Sequence, residues 1–215
     1  MKIGRAALGL LGLAILAGCT TVGAQFATSV QQLSWTLDTK DVPSGRYLLD
    51  PDHTSVLFKI GHLGYSLYVG RFNSVRATLD YDRDKPGQSE LLVTIDPNSI
   101  DTGNDKLEAT LTGKGYFDVS DNPQAMYAAK SIMIVDERHG VLNGELTLLG
   151  VTKPVPLDVV FNGGARNSLT GKYTIGFTAT GSLKRSDFGM KTLIPLVSDE
   201  VYLEINVEFE REQAG

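Results

Sequence analysis

The sequence has almost no cysteine. Among 215 residues Cys19 is alone, so no internal disulfide can form. A chain of this length can bury a sizeable core without one. It is also short of positive charge, with 20 lysines and arginines against 25 acids. Without residues 1–18, which hold Lys2 and Arg5, the balance is 18 to 25, a net charge of −7. An acidic surface without a basic stripe excludes nucleic acid, whose affinity rests on phosphate neutralisation. Taken as a whole, it gives no electrostatic help toward anionic lipid either.

Catalytic signatures are missing as well. There is no Gly-x-Ser-x-Gly elbow, Walker loop, dinucleotide glycine fingerprint or His-Glu-x-x-His. Ser186 and Asp187 with a distant histidine do not make a triad. His53 and His62 differ in parity, so on a straight strand they would face opposite ways. With no third ligand at metal spacing, no metal site is expected. Each of the two imidazoles is expected to satisfy backbone groups at a strand end, and His139 to be solvated in a turn. The reading is a protein that is not an enzyme and requires no cofactor.

The first 18 residues read as an address. Lys2 and Arg5 precede the uncharged stretch AALGLLGLAILAG (6–18), which has signal-peptide length and is too short to be a confident transmembrane helix. It ends in Leu16-Ala17-Gly18-Cys19, which resembles the bacterial lipobox. That resemblance implies cleavage before Cys19 and acylation of it, since two or more acyl chains hold stably where one holds weakly. The alternative is an ordinary secretory signal cut later, after Ala24. Thr20 follows the cysteine, where lipoproteins retained at the inner membrane commonly carry Asp. The expectation is therefore a periplasm-facing lipoprotein anchored in the outer membrane. Residues 19–45 are small and polar, end near Pro43 and read as a tether, with Trp35 a loosely packed linker residue.

From Arg46 onward the signal is period-two alternation. Val201, Leu203, Ile205, Val207 and Phe209 alternate with Tyr202, Glu204, Asn206 and Glu208. Tyr173, Ile175, Phe177, Ala179 and Leu183 form another apolar face. Further faces come from Val56, Phe58 and Ile60, from Leu91, Val93 and Ile95, and from Val155, Leu157, Val159 and Phe161. One dry and one wet face per strand is the mark of antiparallel sheet. Turn signals at Lys85-Pro86-Gly87, Arg138-His139-Gly140 and Asn162-Gly163-Gly164 separate the runs, with no long helical pattern between them. That excludes a parallel doubly wound sheet and leaves a barrel or sandwich. Between Tyr68 and Tyr81 the apolar phase slips, which implies a bulge that helps a sheet close. A short helix within Asn98–Thr112, capped by Asp101 or Thr102 and carrying Leu107 and Leu111, would sit between strands as a lid.

Four stretches in order, LLDPDHTSVLFKI (48–60), HLGYSLYVGRF (62–72), GELTLLGVTKPVPL (144–157) and RSDFGM (185–190), resemble the YceI-like lipid- and polyisoprenoid-binding family, from about Arg46 to Phe209. The resemblance implies an all-β, lipocalin-like antiparallel barrel of about eight strands over 46–211, with an elongated apolar cavity. It also implies an isoprenoid or similar long amphiphile as ligand. Departures lie at Asn104-Asp105 and Gly115-Tyr116-Phe117, where the family typically has an Arg-Asp pair and an acid-Phe-Phe element.

The expected cavity residues are Val56, Phe58, Ile60, Leu63 and Phe72 on the early strands, with Leu107, Leu111 and Phe117 on the lid. Leu157, Val159, Phe161, Ile175, Phe177, Phe188, Leu203 and Ile205 complete the set. They carry no charge, so a cavity built from them is dry. At about −0.3 kcal/mol per heavy atom, a ligand of about 30 atoms would gain on the order of −9 kcal/mol, near or below micromolar. Arg185 and Asp187 read as a pair fastening a strand crossing, the alternative being a head-group contact. An eight-stranded barrel is also just narrow enough to be filled by its own side chains. The competing reading is accordingly a structural or protein-interaction lipoprotein with a filled barrel.

Overall fold

The computed structural model describes residues 35–213. The expected signal, the lipidation site Cys19, Ala24 and the first part of the tether lie outside the described residues. Twelve strands form one antiparallel sheet: β1 (Gly45–Leu49), β2 (Ser55–His62), β3 (Ser66–Phe72), β4 (Val75–Tyr81), β5 (Glu90–Ile95) and β6 (Ile100–Asp101) come first. After a helix, α1 (Asp105–Leu111), follow β7 (Ala125–Ile134), β8 (His139–Leu148), β9 (Val151–Pro154), β10 (Leu157–Arg166), β11 (Tyr173–Lys184) and β12 (Val197–Arg211).

The order β1-β4-β5-β7-β8-β10-β11-β12 closes on itself, because β1 pairs back onto β12. The result is a closed eight-strand antiparallel barrel, the one of the two architectures left by the alternation that the family resemblance implied. β12 is the spine. Along one edge it pairs with β11 from Thr174↔Glu210 to Lys184↔Glu200. Along the other it pairs first with β2, Val201↔Ile60 through Asn206↔Ser55, and then with β1, Leu49↔Phe209 through Tyr47↔Arg211.

β1 and β2 are therefore one wall position interrupted by Asp50–Thr54. Asp50 folds this break: its carboxylate accepts from the Asp52 N–H (2.9 Å) and from His53 Nδ1 (2.8 Å), and its carbonyl accepts from the Thr54 hydroxyl (2.6 Å). β3 and β4 repeat the device. The phase slip between Tyr68 and Tyr81 falls at Asn73-Ser74, whose N–H groups go to the Ser99 carbonyl (3.0 Å) and hydroxyl (2.9 Å) instead of to a strand neighbour. One residue of offset keeps Tyr68 and Phe72 before the break, and Val75 and Leu79 after it, on the inner face.

Two differences from the sequence reading have physical causes. The cap of α1 is Asn104, which accepts from the N–H groups of Lys106 (3.2 Å) and Leu107 (3.3 Å). Asp101 is engaged in β6 with Asn73 and Gly103, and Thr102 donates to Glu108, so neither expected residue is free to cap. Residues 35–44, read as the end of a tether, pack on the barrel. Val42 is fully buried in a cluster with Tyr47, Phe161, Ile175 and Phe209, and Thr36 exchanges both backbone hydrogen bonds with Gly164 (2.8 and 2.9 Å). Composition hides this, since a single valine in a polar segment does the anchoring. Trp35 itself is largely exposed, its ring lying over Gly163.

Candidate functional site: an apolar tunnel with two unlike ends

The barrel encloses a cavity of about 890 Å³, so its own side chains do not fill it. That is in the upper part of the range for small-molecule sites. From β2 and β3 the lining takes Val56, Phe58, Ile60 and Phe72; from β10 and β11, Leu157, Val159, Phe161 and Phe177; from β12, Leu203 and Ile205. Leu107 and Leu111 of α1 and the following Phe117 cover one end. Phe117 stands edge-on to Phe72 with ring centroids 5.6 Å apart, and Phe72 meets Phe58 at 5.7 Å, so the lid is stacked onto the wall.

Three expected residues lie elsewhere. Leu63 sits in the β2–β3 turn with a left-handed backbone (φ 53°) and points away from the lumen, nearly half exposed. Ile175 faces inward but is covered by the Val42–Tyr47 cluster. Phe188 is buried in the wall cluster with Tyr127, Leu148 and Val155. Parity identifies an inward face, but it does not say which stretch of that face is plugged.

Other lining residues were absent from the expected set: Ala77, Leu79, Tyr127, Leu142, Leu146 and Leu148 among them. Alternation along Ala125-Tyr127-Ala129 in β7 and Leu142-Leu146-Leu148 in β8 carries their signal, diluted by alanine and glycine. Those small residues are what leave the lumen open. The Phe58 ring lies over Gly70, and the Tyr127 ring over Gly144, in space that a Cβ would occupy. Tyr127 then donates its hydroxyl to the Val155 carbonyl at 3.0 Å, and burial pushes its pKa up to about 12.

One cation is buried in the wall. Arg185 Nε donates to the Ser198 carbonyl (2.9 Å), Nη1 to those of Thr192 (2.8 Å) and Met190 (3.4 Å), and Nη2 to that of Val197 (3.0 Å). Desolvation lowers its pKa, with Asp199 and Tyr116 opposing. It is thus a staple for residues 190–198, as the structural reading of this motif anticipated, but its partners are carbonyls. Asp187 is exposed, and the carboxylate in the motif's network is Asp199, held by the Ser186 N–H (2.9 Å) and hydroxyl (2.7 Å).

His62 borders the cavity at the α1 end, whereas His53 lies in the β1–β2 break, outside the cavity lining. Hydrogen bonding to Asp50 raises the His53 pKa. Burial pulls the Asp50 carboxyl upward, but its hydrogen bonds from His53 and Asp52 outweigh this and hold it low. Glu208 joins them, the three offering ligand atoms within 4.8 Å of one another. The sequence reading saw no such grouping, because Glu208 arrives across the sheet.

The two ends differ. Around one, the lining includes Asp38, Lys40, Arg83, Asp84, Asp136, Glu137 and Arg138, charges of both signs. Around the other are His62, Tyr68, Leu107, Leu111, Tyr116 and Leu193, bordered by the β2–β3 turn and the 190–196 loop.

Comparison with known proteins agrees with this geometry. The YceI-like domain model matches residues 47–209. A UPF0312 protein of Yersinia pestis (strain Pestoides F) is 35% identical over 164 residues, covering 75% of this chain and 84% of its own length. A UPF0312 protein of Shewanella sp. (strain W3-18-1) is 34% identical, at 75% and 85% coverage. Among solved structures, BcnA of Burkholderia cenocepacia superposes with TM-score 0.66 at 25% identity, covering 74% of this chain and 98% of BcnA. The Campylobacter jejuni YCEI protein gives 0.63 at 32% identity, with 72% and 91% covered. A polyisoprenoid binding domain from Saccharophagus degradans shares the fold at 16% identity, with TM-score 0.57, covering 79% of this chain and 100% of that domain. By sequence and by architecture, this chain belongs to the YceI-like family.

Proposed function

We propose that this protein is a binding module that takes one long apolar amphiphile, such as a polyisoprenoid, a quinone-like molecule or a fatty chain, into the barrel. The observation that carries the reading is the cavity of about 890 Å³ with its aliphatic and aromatic lining. Affinity would come from desolvation of the chain, at about 0.8 kcal/mol per buried CH₂ before the costs of binding. The segment with Leu107, Leu111 and Phe117 would gate loading, since it covers one end of the tunnel. No catalytic step is part of the proposal.

The lipobox-like Leu16-Ala17-Gly18-Cys19 supports the rest of the reading, an envelope lipoprotein held by acylated Cys19 at the periplasmic face of the outer membrane. Two experiments test the parts separately. Protein purified without detergent should release one long apolar molecule on extraction, identified by mass spectrometry, and the emptied protein should bind added isoprenoids. A barrel that carries nothing and ignores such chains refutes the binding reading. Metabolic labelling with a fatty acid should mark the wild type and not Cys19→Ser, and an unlabelled wild type removes the anchor.

A further inference from the structure

We infer that the rim around the α1 end of the tunnel is a docking surface for a lipid bilayer with anionic headgroups. The rim is built from two loops. The β2–β3 turn exposes Leu63, Tyr65 (87% exposed) and, at the start of β3, Leu67; the 190–196 loop exposes Leu193 and Leu196. They form one patch, because the Leu63 N–H donates to the Leu196 carbonyl at 2.7 Å and His62 pairs with Val197. The patch is continuous with the lumen, since His62 and Leu193 also line the cavity. Contiguous exposed apolar surface of this kind marks a contact site.

Backbone conformation gives an independent argument. Leu63 (φ 53°) and Leu193 (φ 62°) both hold the left-handed region, where glycine or asparagine would fit at lower cost. Folding therefore favours neither leucine, and solvation disfavours both, yet both are found on the same rim. Arg185 makes the arrangement rigid by binding the carbonyls of Thr192, Val197 and Ser198.

Charge decides the kind of partner. On a chain with net charge −5, residues 61–70 and 190–198 contain no carboxylate and carry Lys191. Lys114 is brought to the same side, because the Thr192 hydroxyl donates to the carbonyl of the adjacent Gly115 at 2.9 Å. Apolar side chains on two loops free of carboxylates, with Lys191 and Lys114 beside them, suit insertion among anionic headgroups. The purpose rests on the binding reading above, since a tunnel opening into the acyl region can load a lipid without exposing it to water.

The chain's single tryptophan makes the test direct. Trp35 lies at the other end of the barrel, against Gly163. The full-length protein is mixed with vesicles of phosphatidylcholine and phosphatidylglycerol whose acyl chains are brominated, and indole quenching reports depth whatever else holds the protein to the vesicle. Trp35 of the wild type should remain unquenched. In Trp35→Phe/Tyr65→Trp the introduced indole should be quenched, and adding Leu63→Asn/Leu196→Asn, with asparagine suited to the left-handed position, should weaken rim partitioning by roughly tenfold per leucine. An unquenched rim indole overturns the inference. So does a lipid-free dimer, seen by sedimentation, that these asparagines dissolve, because the patch would then serve a second copy. Binding of a fluorescent polyene fatty acid by the wild type is read in parallel. If it binds while the rim stays unquenched, docking fails and the binding reading stands; quenching without fatty-acid binding gives the reverse.

Discussion

The two ends of the tunnel use opposite materials. At the Arg83–Arg138 end apolar side chains also reach the surface, Ile134 and Val135 among them, but Asp136, Glu137, Arg138 and Asp84 stand beside them. At the α1 end two leucines hold left-handed backbone beside a loop whose carbonyls are satisfied by a buried guanidinium. A charged mouth is what solubility requires of any acidic protein. The apolar mouth is not, and its cost has to be justified by a contact. The lumen between the ends is common to both, so changes at either end and in the middle should separate in experiment.

The largest effect is expected at the apolar end. Arg185→Met strips four carbonyls of their donor and should cost about 3–5 kcal/mol in denaturant unfolding, with hydrogen exchange accelerated across 190–198. A variant as stable as the wild type would show that the rim needs no staple. Next comes the middle. Leu203 faces Phe58 across the β2–β12 pair and lines the cavity, so Leu203→Trp should displace roughly six ligand atoms and weaken long-chain binding about twentyfold in a fluorescence titration. Stability should change little, because the added ring enters open space.

Gly144→Ala should cost about 1–3 kcal/mol, since its Cβ occupies the place of the Tyr127 ring. Tyr127 also provides a pH test. Its folded pKa of about 12 exceeds the ordinary 10, so its contribution is complete below pH 10 and lost as pH rises through 12. Ultraviolet titration of wild type against Tyr127→Phe should show this late phenol, and one ionising with the exposed tyrosines would contradict its burial. The smallest effect lies away from both ends. His53 should titrate above 6.5 by NMR, and Asp50→Asn should lower that midpoint. Its stabilisation is present below 6.5 and fades as pH climbs through the raised value.

Much of the fold was legible because alternation is local. The strand faces from Val56 to Phe209 follow from parity, and even the break at Asn73-Ser74 shows as a phase slip. What could not be read depends on contacts distant in sequence. Val42 looks like one apolar residue in a tether until Tyr47, Phe161 and Ile175 surround it, and the same plug hides Ile175 from the lumen. Tyr127 and Leu146 went unselected because glycine and alanine thin the pattern in β7 and β8. Leu63 differs: its odd number already sets it against the parity of Val56, Phe58, Ile60 and His62, and the left-handed turn keeps it outside the lumen.

The seam of the barrel joins its first strand to its last, with Leu49 opposite Phe209. Nothing can close until the C-terminal strand has been made and delivered, so an emerging chain presents an open, greasy trough for nearly its whole synthesis. A contact spanning that much sequence also makes folding slow. A chain halted before β12 would lack the partner of β11, β2 and β1 together, and the cell would meet it as a substrate for chaperones and proteases rather than as a smaller carrier.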